Sequence, residues 1–312
     1  MTRVTAFAPG SVGNVGPGLD VLGLAVAGAG DWVTVERLGV RGLEVRDPGH
    51  EALPTDPARH ASALAAQAVL TRAGMDVGLA LSVLKGLPIS GGQGGSAASA
   101  VAAGFATNVL LGRPLGPIDV LAACLEAEAA VAGRHADNLA PSLLGSAVLV
   151  RTVDPLDVVV LPVPPSLRVV LAHPAQQLRT ADSRAVLPDA VTREVAIHQS
   201  AQVAAMVAAL YSGDLELLGR AIDDRIAEPA RSHLLPGFVE AKRAALAAGA
   251  LGASISGSGP TAFALADGEG AAERVAQAMR GAYHAAGVTC TVRVASVDTR
   301  GARVVREPGA FE

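Results

Sequence analysis

The chain has 312 residues, enough for two domains and a large buried core. Half of its residues are hydrophobic and 17% are charged, a globular composition that excludes intrinsic disorder. The net charge is −4 and no basic run interleaves with aromatics, which argues against a nucleic-acid partner.

Residues 2–8 alternate apolar and polar side chains as a strand does, and residues 32–38 alternate again. Residues 59–74 read as a helix and 79–84 as a strand. PISGGQGGSAAS follows at 88–99 and leads into an alanine-rich buried helix over 96–111. Residues 117–132 are a further helix; 144–151 and 158–163 are strands. PVPPS at 162–166 is the best linker candidate, so the expected division is 1–160 and 161–312. Beyond it come a strand at 167–172 and helices at 191–211, 214–228 and 238–248. Gly249 suits the end of the last of these. Strands at 253–255 and 261–265, a helix at 270–286 and a strand at 289–297 complete the chain. Strands do not alternate strictly with helices, so the expectation is α+β, with a helix-backed sheet in the second half.

The opening MTRVTAFAPGSVGN has no signal-peptide pattern, and no stretch approaches ~20 uninterrupted apolar residues. Cys124 and Cys290 lack metal-ligand spacing and read as buried thiols in a reducing compartment. A cytoplasmic enzyme or binding protein with no membrane partner is therefore expected. Among 25 basic residues, only Lys85 and Lys242 are lysines.

Strand, glycine loop, helix is an arrangement that binds phosphate. Glycine lets backbone N–H groups approach an anion, and the helix N-terminus adds unpaired donors and a positive dipole end. Two common phosphate motifs do not fit. A P-loop requires lysine before its Ser/Thr, but Gly95 precedes Ser96. A dinucleotide fingerprint requires a third glycine that Gly92-Gln93-Gly94 lacks. The bland alternative is a tight turn before a buried helix.

Three further stretches bear on that choice: APGSVGNVGPGLD at 8–20, HADNLAP at 135–141 and GASISGSGPT at 252–261. Together with PISGGQGGSAAS they resemble the GHMP small-molecule kinases, and more narrowly the homoserine kinases. That family opens with Pro-x-Ser-x-x-Asn-x-Gly-Pro-Gly-x-Asp, matched here by Pro9, Ser11, Asn14, Gly16, Pro17, Gly18 and Asp20. Mevalonate kinase and galactokinase relatives carry lysine where this chain has Ser11. The resemblance implies a two-domain α+β GHMP kinase fold, with a ribosomal protein S5 domain 2-like N-terminal domain and a ferredoxin-like C-terminal domain. It implies ATP-dependent phosphorylation of L-homoserine on the threonine biosynthesis route, ATP and Mg²⁺ as cofactors, and a homodimer as the suggested assembly. Another GHMP kinase, or an inactive member that only binds nucleotide or amino acid, is the alternative.

The same resemblance places ATP on Pro88, Ser90, Gly91, Gly92, Gln93, Gly94, Gly95 and Ser96. Relatives usually read Gly-Leu-Gly-Ser-Ser-Ala, so Gln93 and Gly95 are departures and one hydroxyl is lost. Mg²⁺ would take Ser96 and a carboxylate on the preceding helix, where both Glu126 and Glu128 lie; Glu128 fits if one residue is deleted before His135. The amino-acid substrate would meet Asn14, Asp20, His135, Asn138, Arg184 and Arg231. Arginine's planar fork suits carboxylate recognition. Asn138, Asp137 and Arg184 are the candidate catalytic residues, with Asp137 either accepting the hydroxyl proton or only orienting the site. SGSGPT is expected to turn close to the first motif and the phosphate loop. The other histidines, at 50, 60, 173, 198, 233 and 284, read as structural.

Overall fold

The computed structural model describes residues 1–309. Its first sheet contains β1 (Arg3–Gly13), β2 (Leu22–Arg37), β3 (Leu43–Asp47), β4 (Leu79–Leu84), β5 (Ala147–Val153) and β6 (Leu156–Leu161). β2 is long enough to pair with β4 through its second half and with β5 through its first. Helices α1 (Ala61–Arg72), α2 (Gly95–Leu110) and α4 (Leu139–Leu144) pack on this sheet, and α3 (Pro117–Val131) packs on those helices. Small side chains allow close approach. A Cβ at Gly104 of α2 would lie 2.8 Å from the Cys124 sulfur of α3, and most of α2 is buried.

The second sheet is built from β7 (Leu167–Pro174), β8 (Gly252–Ile255), β9 (Ala262–Asp267) and β10 (Cys290–Ser296) in the order β10-β7-β9-β8. Every neighbouring pair is antiparallel. Between β7 and β8 run α5 (Thr180–Ala185), α6 (Arg193–Ser212), α7 (Leu215–Arg220), α8 (Ala227–Arg231) and α9 (Phe238–Ala247); α10 (Glu269–Ala285) links β9 to β10. In chain order within this unit the strands lie 4-1-3-2, the arrangement of a split β-α-β sheet. A last strand, β11 (Arg303–Val305), returns to the first sheet and pairs antiparallel with β1. Among the described residues no helix is long and apolar enough to cross a membrane.

Three departures from the sequence reading have physical causes. Residues 22–31 were not expected as strand, because Gly23, Gly28 and Gly30 break the alternation. Close contacts require two of these glycines: a Cβ at Gly23 would lie 1.7 Å from the Asp137 carbonyl oxygen, and one at Gly30 would lie 2.2 Å from that of Ala8. β1 likewise continues through the Pro- and Gly-containing stretch to Gly13, with a register shift between Pro9 and Gly10. The helix expected over 214–228 breaks after Arg220. The Asp224 carboxylate accepts from the N–H groups of Ile226, Ala227 and Glu228 and restarts the chain as α8.

Candidate active site

A cavity of about 360 Å³ opens between the two sheets. At one end lies the glycine loop. Ser90, Gly92 and Gly94 all have positive φ (52°, 72° and 69°), so the loop needs left-handed backbone in alternate positions. Gly94 caps α2 with no side-chain hydrogen bond. The first N–H groups of a 16-residue helix therefore face the cavity end without an intramolecular side-chain acceptor. Bulk is excluded here: a Cβ at Gly92 would lie 2.6 Å from the carbonyl oxygens of both Gly259 and Ser256, and one at Gly94 would lie 2.2 Å from Ser11 Oγ. Pro88, Gly91, Gly95 and Ser96 also line this end. Gln93 does not. Its side chain is buried on the far side of the loop, bonded to Thr261 and Arg293.

Beside the loop, Ser96 Oγ donates to Glu128 Oε1 at 2.8 Å. The other oxygen, Oε2, is buried with no hydrogen-bond partner. Burial pushes the Glu128 carboxyl up to about 7; the Ser96 hydrogen bond opposes this and the Asp137 charge adds to it. A buried carboxylate oxygen without a donor, next to a hydroxyl and a phosphate-binding loop, fits a hard cation such as Mg²⁺. Glu126 faces elsewhere and forms an exposed ion pair with Arg72.

The other end is built from charged side chains. Asp20 pairs with Arg184 at 2.6 Å and with His135 Nδ1 at 3.2 Å. Burial alone would raise the Asp20 pKa, but hydrogen bonds and charge from His135 and Arg184 outweigh it and hold the carboxyl well below the usual range. Asn14 shapes this corner: its Oδ1 accepts from Asp20 N, its Nδ2 donates to the Gly257 carbonyl, and its own N–H donates to Asp137 Oδ2. Asn14 and Asp20 both sit at positive φ (53° and 58°), outside the conformations that non-glycine residues prefer. Asp137 is buried, and its pKa rises to about 6 through burial first and the Asp20 charge second. Asn138 Oδ1 accepts from Ser11 Oγ at 2.9 Å.

Arg231 is 1% exposed. Its Nε donates to the Ser183 carbonyl and its Nη1 to that of Gly257. Burial, then the neighbouring Arg184 charge, lowers its pKa. Arg184 Nε is buried without an acceptor. Arg184 thus grips the Asp20 carboxylate, while Arg231 reaches two carbonyl oxygens and feels Asp20 only as a nearby charge. The SGSGPT turn closes the corner, with Gly257 N donating to Gly13 O and Ser256 Oγ to Gly92 O.

Two residues not expected in the site belong here. Lys85 lines the cavity and spends its ammonium on Asp31, the Gly95 carbonyl and Ser99 Oγ, which ties the end of β4 to the first turn of α2. Its scarcity was the available signal: one of only two lysines stands three residues before Pro88. His60 caps α1 through Nδ1 and also lines the cavity.

The GHMP kinases N terminal domain model matches residues 59–146, and the GHMP kinases C terminal model matches residues 206–285. A homoserine kinase of Chlorobium phaeobacteroides (strain BS1) is 41% identical over 298 residues, covering 91% of this chain and 92% of that one. One of Arabidopsis thaliana is 42% identical, covering 97% of this chain and 84% of that one. The crystal structure of homoserine kinase from Cytophaga hutchinsonii superimposes with a TM-score of 0.94 at 40% identity, covering 98% of both chains. With this identity sustained along both sheets and the cavity between them, the chain belongs to the homoserine kinase family of the GHMP kinases.

Proposed function

We propose that the chain transfers the γ-phosphoryl group of ATP to the side-chain hydroxyl of L-homoserine, giving ADP and O-phospho-L-homoserine. The observation that carries this reading is that a phosphate-binding loop and a corner holding both signs of charge share one cavity. A free amino acid needs an anion for its ammonium and cations for its carboxylate. Asp20 supplies the first; Arg184 and Arg231 supply the second. The Asp20–Arg184 pair opens in this reading, each partner exchanging the other for one pole of the zwitterion. Residues 1–160 then contribute the nucleotide loop and residues 161–312 the two arginines.

Phosphoryl transfer needs in-line positioning and charge neutralisation more than covalent chemistry. The amides of the glycine loop and the dipole of α2 stabilise charge on the transferred group. Mg²⁺, held by Ser96 and Glu128, would add neutralisation of the phosphate oxygens. The homoserine oxygen attacks the γ-phosphorus, the bond to the β-phosphate oxygen breaks, and the hydroxyl proton passes to Asp137. A carboxyl held near pH 6 by burial suits that exchange, and Asn138 beside it orients the hydroxyl.

The test is ADP release by the purified chain with Mg-ATP, comparing L-homoserine with L-serine, L-threonine, mevalonate, galactose and no acceptor. A strong signal dependent on homoserine is expected. Equal or greater turnover with another acceptor would overturn the assignment of Asp20, Arg184 and Arg231.

A further inference from the structure

The cavity accounts for every loop side chain but one. Gln93 is 6% exposed and points away from the cavity, into the seam between the two sheets. Its Nε2 lies 3.4 Å from Thr261 Oγ1, and Arg293 Nη2 lies 3.3 Å from its Oε1. The direction of these bonds is fixed by proton counting. The single Thr261 hydroxyl proton goes to the Gly91 carbonyl, so Thr261 can only accept from its other neighbours. Gln93 must therefore turn its NH₂ to Thr261 and its oxygen to Arg293. His173 must likewise present a protonated Nδ1 to Thr261, 3.0 Å away.

Arg293 stands on β10 of the second sheet. Its Nη1 donates to the Ala27 carbonyl at 2.9 Å, on the part of β2 opposite the Pro9/Gly10 register shift. Both of its acceptors are neutral oxygens. Burial lowers its pKa only to about 10, so it remains a cation at neutral pH. The guanidinium thus joins β10, β2 and the glycine loop at one point.

We propose that Gln93 and Arg293 are positioning residues for the phosphate-binding loop, holding it against the second sheet and so setting nucleotide affinity without touching the nucleotide. The peptide geometry supplies the link. The Gly91 and Gly92 carbonyls are drawn toward the second sheet by Thr261 and Ser256. In a planar trans peptide the N–H points opposite its carbonyl, so the amides of Gly92 and Gln93 are turned away from that sheet. The Gln93 side chain anchors the third residue of the run, and Arg293 fixes the anchor. Relatives that carry leucine here lack this tie; in this chain the glutamine and the arginine act as a unit.

The experiment uses the full chain and reads nucleotide affinity directly, by titration with a fluorescent ADP analogue, beside the KM values for ATP and homoserine. Gln93→Leu and Arg293→Met are each expected to weaken nucleotide binding roughly tenfold, with KM for homoserine within about twofold. The double variant is expected to bind no more weakly than the weaker single variant, since the two residues are coupled. Unchanged nucleotide affinity in folded Gln93→Leu, equal losses for both substrates, or additive losses in the double variant would each overturn the proposal. Should Gln93→Leu not fold, Gln93→Asn keeps the polarity but is too short to span Thr261 and Arg293. It is expected to give the same selective loss, and parental affinity in it would count against the proposal. The inference rests on the kinase reading, yet the two fail separately. Absence of homoserine-dependent ADP release from the parent chain sinks that reading, while the nucleotide titration still decides this one.

Discussion

The two ends of the cavity are made of different material. The loop end is main chain: three positive-φ positions at alternate residues, glycines with no room for a Cβ, and a helix N-terminus without a side-chain cap. The acceptor end is side chain: Asp20, Arg184, His135, Asp137 and Arg231, with the Asp20 carboxyl held down by His135 and Arg184 and the Asp137 carboxyl pushed up by burial. A main-chain site is insensitive to pH but intolerant of any added atom. A side-chain site tolerates small changes of shape but depends on charge.

That contrast makes its own tests. Gly92→Ala puts a methyl group 2.6 Å from two carbonyl oxygens at a φ of 72°. The backbone strain alone costs about 1–3 kcal/mol, and the contacts add to it. Nucleotide affinity should fall roughly a hundredfold or more, read by titration. Equal loss at the acceptor end, seen as a matching rise in KM for homoserine, would dissolve the distinction. Asp20→Ala should act in reverse, raising KM for homoserine about thirtyfold with KM for ATP unchanged, as expected for truncating one partner of a half-exposed ion pair at about 2 kcal/mol. An unchanged homoserine KM removes Asp20 from the site.

Glu128 lies on the border between the two materials and carries the pH dependence. Its pKa rises from 4.5 to about 7 in the folded state, so the folded chain holds a proton that the unfolded chain has lost. The stability linked to that proton is present below pH 4.5 and disappears as pH climbs through 7. Asp137 adds to the same slope between 3.8 and about 6. Melting temperature should therefore decline across this range, and Glu128→Gln should flatten the decline, gaining about 2–4 °C over the parent at pH 8. Added Mg²⁺ at pH 8 should stabilise the parent and leave Glu128→Gln unaffected; stabilisation of both by the same amount would remove Glu128 as a ligand. The smallest effect belongs to Glu126→Gln. An exposed pair with Arg72 contributes under about 1 kcal/mol, so turnover and both KM values should stay within about twofold.

Much of the loop end was legible because glycine and serine clustered in one short segment announce themselves without tertiary information. SGSGP was legible for the same reason and HADN only through the resemblance to a known family; the structure brings both beside the loop. What stayed hidden depends on partners far along the chain. Lys85 meets Asp31 across 54 residues, and Arg293 meets Gln93 across 200. Neither pairing has a local pattern. The strand over 22–31 was hidden because its glycines answer to contacts with Asp137 and Ala8, and not to the alternation that marks a strand. Asp224 broke an otherwise good helix pattern by capping from inside it.

The pairing of Thr5 with Val305 sets a timetable for the chain as it is made. β1 lies between β2 and β11 and leads directly into Asn14, which lines the cavity. On a ribosome, the residues of β11 emerge after about 300 further peptide bonds, roughly 15–60 seconds behind β1 at ordinary rates of synthesis. For that interval the outer edge of β1 presents unpaired backbone groups to whatever is nearby. The Gly13–Gly257 bond waits almost as long. The catalytic cleft is thus a late product of translation, and the nascent protein passes most of its synthesis with an open sheet edge that a chaperone can cover.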